Sequence, residues 1–379
     1  MRISIIFLVI TLMTTLSCSN DSSTENALSN EQNISVQYSL LQINNDIVSA
    51  TNIDADGENI QLDLSASSFT SMKYPTLSSL FDGKAMFYEP QNDCSGELVF
   101  FSLKNGEFIK FNVFEDSKNC DREVIAITGS GNTFFVLYEI PGDFLKEVRY
   151  YLRVIDSLNP LEGYEDFEIE NYPSQLTYLN NRLFVLTEDL MEENHFLMLV
   201  FDLETKSWLS EMNLGNNVER LISTSENNLL ITYPELHNLY SASTMEILST
   251  TRYLEGTEPN FGKSSTHYFA PDGKLYFTMP TDLEGTKYAH IPAVYDFERN
   301  TASLYYYENF LTQEEQNYKY EIGNTTVLSY DSKNNLMLIG YQKSLNKNLG
   351  GIIRIKPSPN PKLIDHIDLN GVPIYIYTE

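Results

Sequence analysis

Six times along the chain a tight polar turn is followed by a short apolar block, and the spacing of these units near fifty residues marks a repeat architecture. The units read Asp82-Gly83-Lys84-Ala85-Met86-Phe87, Ser130-Gly131-Asn132-Thr133-Phe134-Phe135, Asn180-Asn181-Arg182-Leu183-Phe184-Val185, Glu226-Asn227-Asn228-Leu229-Leu230-Ile231, Asp272-Gly273-Lys274-Leu275-Tyr276-Phe277 and Lys333-Asn334-Asn335-Leu336-Met337-Leu338. Counted at the second residue of each, the intervals are 48, 50, 46, 46 and 61 residues. Each unit divides into four short strands; in the third these fall at 173–178, 182–186, 196–202 and 207–213. Its third strand holds the unbroken apolar run Phe196-Leu197-Met198-Leu199-Val200-Phe201, as expected of a strand covered on both faces. The fourth is more polar, as suits an outer edge. A second marker keeps the same phase, because a small polar residue ends the third strand in Phe101-Ser102, Ile155-Asp156, Phe201-Asp202, Tyr240-Ser241 and Tyr295-Asp296, where it favours the turn outward.

Four-stranded antiparallel sheets repeated around an axis make a β-propeller, so the chain is expected to be all-β. The last run, Val372-Pro373-Ile374-Tyr375-Ile376-Tyr377, looks like a first strand with nothing after it. Three strands, at 34–41, 46–51 and 59–64, precede the first full repeat. One C-terminal and three N-terminal strands would complete a further blade and close the ring, which favours seven blades over six. The whole of 34–379 then forms a single domain.

The first residues carry a different pattern. Arg2 precedes an apolar stretch from Ile3 to Met13, too short to span a bilayer, and the stretch runs into Thr15-Leu16-Ser17-Cys18. This resembles the lipobox at which bacterial lipoproteins are cleaved before a lipid-bearing cysteine, with Thr15 where Leu is usual. The resemblance implies a signal peptide at 1–17 and lipidation at Cys18; an ordinary secretory leader is the alternative. Residues 18–33 are polar and read as a tether, and the Ser19-Asn20-Asp21 cluster resembles the outer-membrane surface signal of Bacteroidota lipoproteins. Localisation at the outer membrane, on its periplasmic or cell-surface side, follows as an expectation.

Composition narrows the partners. A net charge of −27, with 52 acidic against 25 basic residues, excludes nucleic acid bound through its phosphates. Apart from Cys18, the cysteines Cys94 and Cys120 flank a hairpin whose turn is Lys104-Asn105-Gly106, and both fall at its open end. A disulfide is the expected state in an oxidising compartment, with free thiols or a metal pair as alternatives.

Candidate chemistry is sparse. The loops after the second strands share one face of a propeller and begin alike, with Tyr88, Glu89, Tyr138, Glu139, Glu188, Tyr233, Glu235 and Tyr341. A ring of Tyr and Glu there could hold a polar or cationic ligand, although Tyr ending a buried strand with Glu in solvent would give the same pattern. His195, His237 and His290 recur in the same loops, but at the blade period, so they are weak metal candidates. His267 reads as a core residue. Asn52 to Glu58 imitates a calcium loop, yet its apolar residue and closing acid are out of place, and a turn fits better. No cofactor is implied, and no nucleophile elbow, phosphate loop or zinc-protease helix is present.

The segment Pro271-Asp272-Gly273-Lys274-Leu275-Tyr276-Phe277 is similar to a repeat of the NHL or TolB-like propellers, and with the lipobox the chain resembles the β-propeller lipoproteins of the Bacteroidota. That implies a fold and an address, with no shared activity. The expected function is a non-catalytic module binding a small molecule, a glycan or an outer-membrane protein. A glycan- or peptide-directed hydrolase or lyase using mouth carboxylates, and a structural subunit of a surface complex, are the alternatives.

Overall fold

In a computed structural model the described residues are 33–378, apart from 64–68, 70, 74, 76, 82, 116–119, 143–146, 160–162, 225, 265 and 282–286. Residues 1–32, read above as leader and tether and including Cys18, lie outside them.

Seven antiparallel sheets, each with four successive strands from the axis outward, make a seven-bladed β-propeller. Blade 1 takes Val372–Thr378 innermost, then Val36–Asn44, Ile47–Ala55 and Ile60–Asp63. Blades 2 to 7 follow in sequence, with innermost strands Leu77–Phe81, Glu123–Ser130, Tyr172–Leu179, Arg220–Ser223, His267–Phe269 and Ile322–Asp331. The chain's last strand thus pairs with its first, in the register Leu40 to Ile376, as the unpaired terminal runs predicted. A two-residue strand, Met72–Lys73, adds to the third strand of blade 1.

The recurring turns are those that join first to second strands. In blade 4, Leu179 pairs with Arg182, leaving a two-residue loop in which Asn180 and Asn181 both take positive φ, 51° and 59°. Such a mirror-image turn matches the twist of the strands it joins, and asparagine tolerates it better than most residues do. Gly83 has φ +66°, and a Cβ there would lie 2.7 Å from the Tyr377 ring, so glycine is required twice over. Its N–H donates to the Tyr375 hydroxyl at 3.0 Å, tying blade 2 to the closing strand.

The core is distributed. Seven buried apolar clusters occupy the seven blade junctions, for example Met86, Phe100, Phe134 and Val136 between blades 2 and 3. The long final interval of the repeat is an insertion between blades 6 and 7, where the short helical turns Tyr307–Asn309 and Glu315–Lys319 bury Tyr307, Leu311, Gln316 and Tyr320 over the junction. Cys94 and Cys120 form a disulfide with Cα atoms 4.7 Å apart, at the open end of the blade 2 hairpin.

Two junctions carry a buried arginine on a third strand. Arg153, on the third strand of blade 3, donates through Nε and Nη2 to Asp166 on the fourth strand at 2.8 and 2.7 Å, and through Nη1 to the Val113 carbonyl at the edge of blade 2 at 2.8 Å. Arg354, on the third strand of blade 7, repeats this with Asp365 and with the Asp56 carbonyl of blade 1 at 2.6 Å. Each guanidinium clamps one blade internally and pins it to a neighbour, Arg153 to the blade before it and Arg354 to blade 1, which follows it around the ring.

Candidate functional site

First strands run from the face that carries the second-to-third-strand loops toward the face of the recurring turns. That places Glu123, Tyr172, Arg220 and His267, which open four of these strands, at the loop face.

The tyrosines expected around the mouth are packed into blade junctions. Tyr138 is 2% exposed, stacks on Tyr151 and meets Phe114 edge-on; Tyr341 is fully buried with its hydroxyl donating to Asp368 at 3.3 Å. Tyr88 is buried too, and burial pushes its hydroxyl up to about 12. Tyr233, half-buried, donates to the Leu214 carbonyl at 3.0 Å. Of the carboxylates, Glu235 is exposed beside Arg252, and Glu89 stands opposite Glu97 on the neighbouring strand. Glu139 and Glu188 do approach a common neighbour. Burial first, then the charges of Glu139, Glu188 and Glu123, raise the Tyr172 hydroxyl; burial and Glu123 likewise raise the Glu139 carboxyl.

The three loop histidines stand at the start of third strands in three different blades and have separate surroundings. His290 meets the Asn324 side chain. His237 is 3% exposed, boxed by Tyr253, Tyr295 and Phe297, with Nδ1 3.1 Å from the Tyr253 hydroxyl. Burial lowers its pKa to about 4. As pH falls below 6.5 the unfolded chain therefore takes up a proton that the folded ring refuses, so stability present above pH 6.5 is lost toward pH 4. The parent should lose up to about 3 kcal/mol more across this window than His237→Phe. Urea midpoints at pH 7 and pH 4.5 check this, and equal pH dependence in both proteins would refute it.

His195 has its tautomer set by its neighbours. Asn213 Oδ1 accepts from the Gly215 N–H at 2.8 Å, which fixes that atom as oxygen, so the His195 Nε2 at 3.0 Å must donate to it. Nδ1 then faces Asp189 Oδ2 at 3.3 Å. With Glu192, these are the described residues whose ligand atoms lie close enough, within 4.8 Å, to hold a metal ion. The calcium-like segment is a turn, in which Asp56 Oδ1 accepts from the N–H groups of Glu58 and Asn59.

Two cavities bear on a binding role. One, of about 830 Å³, lies between blades 5 and 6 on the turn face, over Phe269, Phe297 and His237. Two of its carboxylates are already engaged: Asp272 accepts from the Lys274 N–H and the Tyr276 hydroxyl, and Asp296 from the N–H groups of Glu298 and Arg299. The other, of about 410 Å³, is the axial channel between the first strands of blades 2 to 6. Ser78, Ser223 and His267 are exposed there, on strands whose other faces are packed. No Asp or Glu is among its described lining residues. His267, read from sequence as core, is in the channel wall, where the surrounding protein and then the charge of Arg220 lower its pKa.

Arg220 was not singled out from sequence. It opens a four-residue strand in an acidic stretch, and only the ring's closure shows that its side chain meets the axis. Its buried Nε has no hydrogen-bond partner, and its one bond runs from Nη2 to the Gly262 carbonyl at 3.4 Å.

No family model matches the chain, and no curated protein matches it. Among solved structures it is similar to a proposed 6-phosphogluconolactonase from Bacteroides uniformis, at 11% identity over 91% of this chain and 99% of that one, with a TM-score of 0.51. The β-propeller domain of the Trilobed protease from Pyrococcus furiosus gives 10% identity over 87% and 94% of the two chains, TM-score 0.48. TolB from Acinetobacter baumannii gives 10% over 90% and 82%, TM-score 0.43. At such identities the likeness is one of fold alone.

Proposed function

We propose that this chain is a non-catalytic binding module, held at a membrane surface through lipid on Cys18, that takes a small molecule into its axial channel. The observation that carries the binding role is the channel itself. Its volume suits a small ligand, five blades contribute to its wall, and its described lining offers neither a carboxylate pair for acid–base hydrolysis nor a cysteine nucleophile. The test is a thermal-shift screen of the mature chain against glycans, siderophores, metals and sugar phosphates. A ligand at a hundred times its Kd should stabilise the protein by about 2.7 kcal/mol. Ser78→Trp, which fills the channel, should abolish the shift; an undiminished shift would remove the channel from the reading. Intact-mass detection of lipid on the N-terminal residue, lost in Cys18→Ser, tests the anchor.

A second reading rests on Glu139, whose carboxyl, raised by burial and by the charge of Glu123, has the character of a general acid. It requires glycan or peptide turnover that Glu139→Gln abolishes. A broad substrate panel with no turnover would set it aside.

A further inference from the structure

The channel is an exception within its own protein. A chain with 52 acidic residues places none of them among the described residues that line its axis, whereas the lateral cleft of twice the volume is lined by four: Glu226, Asp272, Asp296 and Glu298. The channel holds instead a guanidinium, an imidazole and exposed hydroxyls.

Arg220 is the least satisfied of these groups. Its Nε is buried without an acceptor, and its single long bond to the Gly262 carbonyl leaves most of the guanidinium fork unused. The carboxylate whose charge acts on Arg220 is that of the adjacent Glu219, but Glu219 Oε2 accepts from the Gly262 N–H at 3.3 Å, and an ion pair with Arg220 does not form among the described contacts. Burial accordingly disfavours the charged guanidinium. His267, close enough to feel that charge, is disfavoured in its charged form as well. A buried donor left unpaired is costly, and the planar fork of arginine matches two oxygens of a carboxylate, phosphate or sulfate.

We propose that the ligand of the axial channel carries an oxyanion group, which the under-satisfied Arg220 guanidinium grips from the channel wall while His267 and the exposed serines stand around it. The proposal rests on the channel being the binding site. The field of a protein with net charge −27 opposes any anion, so recognition depends on these local contacts and not on long-range attraction.

The test uses the mature chain at fixed ionic strength, with phosphate, sulfate, citrate and acetate as probes and glucose as the neutral control. Calorimetry should show saturable binding of at least one oxyanion, and the ¹⁵N spectrum should show one arginine Nε resonance that moves with the same affinity and is missing in Arg220→Gln. Loss of a charge-assisted bond should weaken binding roughly tenfold to a hundredfold in Arg220→Gln, with Arg220→Lys between. Phosphate against citrate and acetate separates a tetrahedral from a planar group. If glucose or another neutral compound binds in a way that Ser78→Trp blocks and Arg220→Gln leaves intact, the channel stands as the site and the oxyanion inference is overturned. If the anions bind equally well to Arg220→Gln, their binding is adventitious and the inference is again overturned. Binding that Ser78→Trp leaves unchanged would overturn both readings together.

Discussion

A chain ending at Gly371 should show no cooperative unfolding transition. Val372–Thr378 is the only strand that joins the axis in blade 1, and it contributes Ile376 to the junction with blade 7 and Ile374, Tyr375 and Tyr377 to the junction with blade 2. Its removal exposes the whole inner edge of Val36–Asn44 and opens two apolar interfaces at once. It also strips the Gly83 N–H of the Tyr375 hydroxyl and the Thr326 hydroxyl of the Pro373 carbonyl. A domain's total stability is about 5–15 kcal/mol, and a loss of this kind is of that order. Circular dichroism melts and hydrogen exchange of the truncated chain check the expectation. A sharp transition within a few degrees of the parent would mean that the ring does not depend on its closure.

The second large effect is expected at Arg354. The side chain is fully buried, and Arg354→Ala leaves Asp365 without its bidentate partner and the Asp56 carbonyl without its donor. The Tyr38 hydroxyl, which donates to Asp331 at 2.7 Å and accepts from Arg354 at 3.2 Å, loses a partner too. Breaking a buried pair on one side costs about 3–5 kcal/mol, chiefly because the other charge stays behind. Urea denaturation should show that loss, and removing both partners in Arg354→Met with Asp365→Leu should cost much less. The clamp would be refuted by a loss in Arg354→Ala below about 1 kcal/mol, the range of an exposed pair.

The propeller was legible because its turns are chemically demanding. Asn180 and Asn181 take a conformation that few residues tolerate, and the strands beside them are short and apolar, so each unit declares itself locally. The closing blade was legible for a related reason, since Val372 to Tyr377 is a strand whose partners must come from the other end of the chain. The disulfide followed from the hairpin between its cysteines. The mouth was harder to read. Tyr138 and Tyr341 end apolar runs in the way a ligand-facing ring would, yet they fill the wedge between blades, because large rings are needed where adjacent sheets splay. Arg220 and His267 gave no signal, since whether a first-strand residue meets the axis depends on how seven sheets lean together. The clamps at Arg153 and Arg354 were equally silent, because a charged residue within an apolar strand shows no partner until the neighbouring blade is in place.

The closing blade has a directional consequence. Val36–Asn44 begins at the turn face, where Ile34 exchanges hydrogen bonds with Asn334, so the chain enters the ring on the side opposite Arg220. Force transmitted through the N-terminal residues is therefore applied to the rear of the ring. The arginine end of the bore lies at the loop face, away from the side on which the chain enters.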